Sequence, residues 1–172
     1  MREGSTSERV LRACLDHAQS LGAQTVAFSG PALRLPIYEP DRTARTDQAR
    51  KLVRAVSGAD GLIIASPGYH GGISGLVKNA LDYVEDLRRD ARPYLDGRAV
   101  GCVTTAAGWQ AAGSTLQALR AVVHALRGWP TPLGVAINSE LPVWEDDGAP
   151  NPALQGQLEI LTGQVVEFSR RW

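Results

Sequence analysis

The chain is poor in the residues that build metal centres and disulfide frameworks. It has two cysteines, one methionine and three histidines in 172 residues. Cys14 and Cys102 lie far apart in apolar surroundings, in no Cys-x-x-Cys or metal-ligand spacing, and read as buried free thiols of a reducing compartment. An excess of either charge is also missing: Lys+Arg and Asp+Glu both number 18, for a formal net charge of +0. With no basic stripe there is no electrostatic footprint for nucleic acid or an anionic membrane. No apolar run approaches the ~18 residues of a membrane span, and the opening "MREGSTSERVL" has no apolar signal core. The expectation is a soluble, cytoplasmic protein. A chain of this length buries roughly 70% of its unfolded surface, enough for a single domain spanning residues 1–172.

Periodic apolar patterns fill most of the sequence. Val10, Leu11, Cys14, Leu15, Ala18 and Leu21 recur at helical spacing up to Gly22, and Ser5 with Glu8 makes a capping box at the start. The run Thr25–Phe28 reads as a short strand, followed by a loop broken by Pro31, Pro36 and Pro40. A helix over 47–56 precedes the strand "GLIIAS" of residues 61–66, whose consecutive apolar residues suit a parallel strand covered on both faces. A helix over Ser74–Leu87, a strand "RAVGCVTT", a helix carrying Leu116 to Leu126, and a strand "PLGVAI" follow. Asn151-Pro152 opens a last helix. Helices alternating with Val/Ile-rich strands argue for a parallel sheet with helices on both faces, and ligands in such sheets sit beyond the carboxyl ends of the strands.

Three loops at those ends hold the candidate site residues. "SPGYHGG", Ser66–Gly72, has glycines that let the backbone approach a ligand, with a ring at Tyr69 and an imidazole at His70; a tight strand-to-helix turn with Tyr69 lidding the core explains the same residues. "TTAAGWQAAG", 104–113, sets Trp109 and Gln110 among small residues. In "REGSTSE", Arg2, Ser5 and Ser7 surround a helix N-terminus, an anion site in waiting, although serines there also serve as plain caps. One anion site and two small-residue loops suggest a flat, phosphate-bearing cofactor.

The stretch "ADGLIIASPGYHGGISGLVKNALDYV" resembles the signature of the NADPH-dependent FMN reductase family, a strand ending in Ser-Pro-Glu-Tyr-Asn-Gly followed by a Gly-x-Leu-Lys-Asn-Ala-Leu-Asp helix. Similar features continue through "LPIYEPD" upstream and "TLQALRAVVHALRGWPTPLGVAI" downstream. The resemblance implies an α/β, flavodoxin-like, doubly wound parallel sheet of strand order 2-1-3-4-5, in a homodimer or homotetramer. It also implies FMN at the carboxyl edge and electron transfer from NADPH or NADH to a small-molecule acceptor such as a quinone, azo compound or flavin. By position, Arg2, Ser5 and Ser7 match the phosphate loop. Pro67, Gly68, Tyr69 and His70 match the segment along the isoalloxazine, with Gly71 closing the turn, and Thr105, Ala107, Gly108 and Trp109 match the loop at its far side. The flavin carries the chemistry, so no side chain is assigned as catalytic. Lys78 and Asn79 also belong to the family's helix, where fold maintenance explains them at least as well as cofactor contact. The Ser74–Leu87 helix with Tyr83 resembles the family's subunit interface, although packing on its own sheet explains the same pattern.

The chain departs from this pattern in four ways. Gly68 and His70 stand where the family commonly has Glu and Asn, Ser7 where it often has Asn, and the loop around Trp109 is less glycine-rich. Most consequentially, Met1 directly precedes Arg2, so the family's first strand is absent from the sequence. That strand would be central, and its loss leaves ladder groups costing about 1–3 kcal/mol each where buried. The expectation is that the sequence starts late, or that another segment or a subunit fills the slot; otherwise the protein is unstable and holds FMN weakly. An electron-carrying flavodoxin, or a non-redox relative using the same groove, are the competing readings.

Overall fold

The computed structural model describes residues 4–171. Five α-helices lie at α1 Thr6–Ser20, α2 Asp47–Gly58, α3 Gly75–Asp82, α4 Trp109–Ala125 and α5 Pro152–Ser169. The strands are β1 Gly61–Tyr69, β2 Gly72–Ile73, β3 Ala99–Ala106, β4 Trp129–Pro130 and β5 Val135–Asn138. Helix starts follow their side chains: Ser5, Thr46, Ser74 and Asn151 each accept a backbone N–H of the first turn, which satisfies one orphan donor per helix.

β3 lies at the centre, and all eight of its residues are buried. It pairs in parallel with β1 on one side, from Gly61↔Ala99 to Pro67↔Thr105. On the other side it pairs in parallel with β4 at its start and β5 at its end. Its side chains alternate between two apolar layers. Val100 and Cys102 meet Ala49 and Leu52 of α2, Val77 and Leu81 of α3, and Leu119 and Val123 of α4. Val103 meets Val10 and Cys14 of α1 and Leu158 and Leu161 of α5. This is the expected three-layer α/β arrangement.

Two expectations need correction. Residues 25–28 form no strand: Val26 is 74% exposed and they join no ladder. The parallel portion of β1 pairs only with β3 among the described residues, and residues 25–28 do not pair with its other edge. Nor is β1 covered throughout, since Gly61 to Ile64 are half-buried. Water therefore reaches that edge, and the penalty reckoned for buried, unpaired ladder groups does not fall on it in full. No described segment fills the slot beside β1.

Several polar residues hold the frame. Asn79 accepts Tyr38 N–H at 2.9 Å and donates to Pro36 O at 2.9 Å, pinning the proline loop. Lys78 meets Asp82 in solvent. Tyr83 is buried within its own chain, with its hydroxyl donating to Pro36 O and its ring edge-on to Tyr38. Arg45 bonds Asp86 through two nitrogens at 2.8 Å and lies over Tyr38. Both thiols are buried, which pushes Cys14 up to about 11 and Cys102 up to about 12; they stay protonated and inert at neutral pH.

Arg98, 1% exposed, donates to Ser57 O and Ala59 O at the end of α2 and to Tyr94 O and Asp96 O. Helix-end carbonyls receive its charge, although burial pulls its pKa below the usual arginine value. Arg98→Met strands these acceptors and lowers the unfolding free energy by about 3 kcal/mol in urea denaturation, while Arg98→Lys, lacking the fork of donors, recovers only part of that loss.

Candidate functional site

β1 does not stop at Ser66 as its apolar run suggests. It continues to Tyr69, turns through His70 and Gly71, and returns as β2 with Gly68↔Ile73 and Tyr69↔Gly72 paired. Both turn residues have positive φ, 52° at His70 and 82° at Gly71, as a two-residue hairpin of the primed type requires. Gly71 meets this demand freely, whereas His70 bears the strain of a Cβ in the left-handed region. Buried Ser66 locks the base of the hairpin: its hydroxyl donates to Pro67 O and accepts Ser74 N–H at 3.0 Å. Tyr69, 63% exposed, lies open to solvent and does not lid the core.

The opposite wall is the start of α4. The loop expected to run to Gly113 becomes helical at Trp109, after Gly108 takes φ 84° as N-cap with no side-chain cap. The first-turn N–H groups of Trp109, Gln110 and Ala111 have no acceptor among the described residues. Asn138 holds the corner, its Oδ1 accepting both Gly108 N–H at 2.9 Å and Glu140 N–H at 3.0 Å. Thr104 ties strand to helix by donating to Ala112 O. A hollow of about 350 Å³ lies between the walls, lined by Gly71, Ala107, Gly108, Gln110, Ala111 and Ser114. Trp109 is 61% exposed beside it.

At the start of α1, the hydroxyl of Ser5 accepts Glu8 N–H at 3.4 Å, but the returning half of the expected capping box is displaced by one residue. Glu8 Oε2 accepts Gly4 N–H at 2.9 Å. Its other oxygen accepts from Ser29 and from Arg12. Thr6 and Ser7 N–H groups have no acceptor among the described residues. The buried Ser7 side chain points inward and shares a hydrogen bond of 2.8 Å with Thr105. Residues assigned to opposite ends of the cofactor are thus joined directly, stitching α1 to the end of β3, while Pro67 sits beside Thr105 in the ladder. Arg2 lies outside the described residues.

Sequence reasoning missed Glu8, Ser66, Thr104 and Asn138 as site supports. Only Glu8 left a signal there, its spacing from Ser5; the others act through partners that the sheet brings in. A larger hollow of about 420 Å³ lies elsewhere, between α1 and the loop at 144–150. Its Arg9 is stacked 3.7 Å over Trp144 and bonded to Gly148 O. That guanidinium is committed to packing, and the smaller hollow is the one where the strand ends converge.

The fold and the comparisons agree. The structure resembles a flavoenzyme NAD(P)H:(acceptor) oxidoreductase from Paracoccus denitrificans, with TM-score 0.77 at 17% identity over 97% of this chain and 92% of that one. It also resembles a WrbA-like flavodoxin from Agrobacterium tumefaciens, with TM-score 0.62 at 18% identity over 96% and 90%. Likenesses this distant in sequence establish a flavodoxin-like α/β fold. The family described as NADPH-dependent FMN reductase matches residues 1–141, and the chain belongs to that family. It is 29% identical over 116 residues to an FMN-dependent NADPH-azoreductase of Staphylococcus haemolyticus, covering 66% of this chain and 58% of the relative. The corresponding Staphylococcus aureus enzyme is 31% identical over 113 residues, covering 64% and 56%. The chain therefore spans somewhat under three-fifths of the length of these curated relatives.

Two measurements check this geometry. His70→Gly removes the left-handed strain and raises stability by about 0.5–1 kcal/mol, whereas Gly71→Ala adds strain and lowers it by about 1 kcal/mol, both read from urea midpoints. The Glu8 carboxyl is held below the usual range, chiefly by the Gly4 amide and further by Ser29 and Arg12, against the opposing effect of burial. Its folded pKa is depressed, so its stabilisation is present above the unfolded value and is lost as pH falls through the folded one. Glu8→Gln therefore lowers the unfolding midpoint at neutral pH, and the gap to the parent closes as pH falls below the carboxylate range.

Proposed function

We propose that the hollow between the β1–β2 hairpin and α4 holds the ring of FMN, and that the protein passes electrons from NADPH or NADH to a small acceptor. The observation that carries this reading is the uncapped start of α4 facing the glycine hairpin across a hollow at the carboxyl ends of β1 and β3. That is where a parallel sheet of this class offers its ligand site. Membership of the family supports the cofactor and the electron donor.

The residues present fit the cofactor. A Cβ built on Gly71 or Gly108 meets no atom within 4 Å, so the space before the main chain is open at both walls. The free amides of Trp109, Gln110 and Ala111 sit at the positive end of a 17-residue helix, and would favour negative charge on the ring edge. The amides of Thr6 and Ser7, which have no acceptor among the described residues, would take the phosphate. Glu8, nearby, holds the Gly4 amide and adds negative charge at that end, which tempers the phosphate's affinity. Bound FMN would supply the hydride and electron chemistry. The protein's own part is to bind, orient and shield: the exposed rings of Tyr69 and Trp109 flank the hollow, where planar acceptors would stack. No described helix is long and apolar enough to cross a membrane.

The test is spectroscopic. Adding FMN to the purified chain is expected to quench its fluorescence with saturation near one equivalent, and anaerobic NADPH or NADH then bleaches the visible flavin band. FMN that separates fully on gel filtration, with no quenching at any concentration, overturns the cofactor assignment. FMN that binds but is not bleached by either nicotinamide leaves an electron carrier in place of a reductase.

A further inference from the structure

Gly68 and Gly71 stand three residues apart in one hairpin but are glycines for different reasons. Gly71 has a positive φ; Gly68 does not. What Gly68 cannot tolerate is a side chain, because a Cβ there falls 2.4 Å from Thr115 Oγ1 and 3.2 Å from both Thr115 Cβ and Ala106 Cβ. Thr115 is fully buried inside α4, directly after Ser114 on the wall of the hollow, and its hydroxyl has no hydrogen-bond partner among the described residues. Its side chain is thus set against the bare Cα of the hairpin by shape, with no hydrogen bond to justify the hydroxyl.

We infer that Gly68 and Thr115 form a matched spacer that sets the width of the hollow, with Thr115 acting as a positioning residue through the hairpin main chain. The hairpin carries Gly71 on one wall, and α4 carries Gly108, Ala111 and Ser114 on the other. Their separation is fixed where the two elements touch, at Gly68 and Thr115. A methyl group at position 68 drives the hairpin away from α4 and opens the cleft. Removing the Thr115 γ atoms restores most of the room, since the two remaining contacts at 3.2 Å, with Thr115 Cβ and Ala106 Cβ, yield with shifts of a few tenths of an ångström. The pair also accounts for the glycine standing where the family commonly carries a glutamate: with threonine beneath it, position 68 has no room for that side chain.

So far as it concerns FMN, the inference rests on the reading above, and a double-mutant cycle keeps the two separable. The full chain and the variants Gly68→Ala, Thr115→Ala, Thr115→Val, Gly68→Ala/Thr115→Ala and Gly68→Ala/Thr115→Val are titrated with FMN, and their thermal midpoints are measured without it. Gly68→Ala is expected to weaken FMN binding about tenfold or more, as overpacking of 1–3 kcal/mol transmitted to the site would. Thr115→Val, which keeps the spacer's shape, binds within about threefold of the parent, whereas Thr115→Ala, which removes it, binds about three- to tenfold more weakly. The Gly68→Ala/Thr115→Ala double variant binds at least as well as Thr115→Ala and better than Gly68→Ala. Gly68→Ala/Thr115→Val stays as weak as Gly68→Ala, because valine puts a methyl group where the offending hydroxyl oxygen stands. The spacer is overturned if the parent binds FMN and Gly68→Ala binds equally well, or if Thr115→Ala fails to rescue it. Loss of FMN in Thr115→Val alone overturns it too, by showing that the hydroxyl acts through a hydrogen bond. Should the parent not bind FMN, the cofactor reading falls, and the thermal midpoints decide the spacer alone: rescue of Gly68→Ala by Thr115→Ala supports it, and strict additivity overturns it.

Discussion

The structure depends on β3 being buried on both faces and paired on both edges. Its eight buried residues supply Val100 and Cys102 to one apolar layer and Val103 to the other. Once such a strand is formed, its backbone must be satisfied by neighbouring strands on both edges and its side chains by layers packed above and below. β1, β4 and β5 take the first role, and the five helices the second. The buried Arg98 secures the amino end of the strand by closing the α2 terminus against it, and Thr104 with Thr105 secures the carboxyl end to α4 and α1. Everything relevant to the site hangs from that carboxyl end.

What gathers there is mostly main chain. The hairpin contributes backbone in a left-handed turn, α4 a bare helix terminus, and α1 a second terminus whose Thr6 and Ser7 amides have no described acceptor. The side chains closest to these features hold them in place: Ser66 beneath the hairpin, Asn138 at the corner of α4, Ser7 bonded to Thr105. This division suits a cofactor that brings its own reactivity, since rigid dipoles and open space are what a protein adds to it. His70 takes a turn position that asparagine fills with less strain, because a short polar side chain tolerates the left-handed region better than an imidazole does.

The edge of β1 shows how local pattern and tertiary environment can disagree. Leu62, Ile63 and Ile64 form a run suited to a strand covered on both sides, yet they are half-buried beside an unpaired edge. Residues 25–28 carry strand-forming side chains and remain without a ladder. A strand exists only in company, because its hydrogen bonds go to another chain segment and not to itself.

The sequence by itself determined the elements whose causes are local. The caps at Ser5 and Asn151, the helical apolar spacing of α1, α2 and α5, the strand at β3 and the small-residue character of both walls could all be read from neighbouring residues, because helix bonds and side-chain periodicity span a few positions. Only the tertiary structure decided which segments pair, that Ser7 meets Thr105 across 98 positions, and that Gly68 is required by Thr115 and not by its own φ. The physical reason is range. A turn residue declares its backbone need in its own identity, whereas a close contact between a hairpin and a helix exists only after the sheet has brought them together.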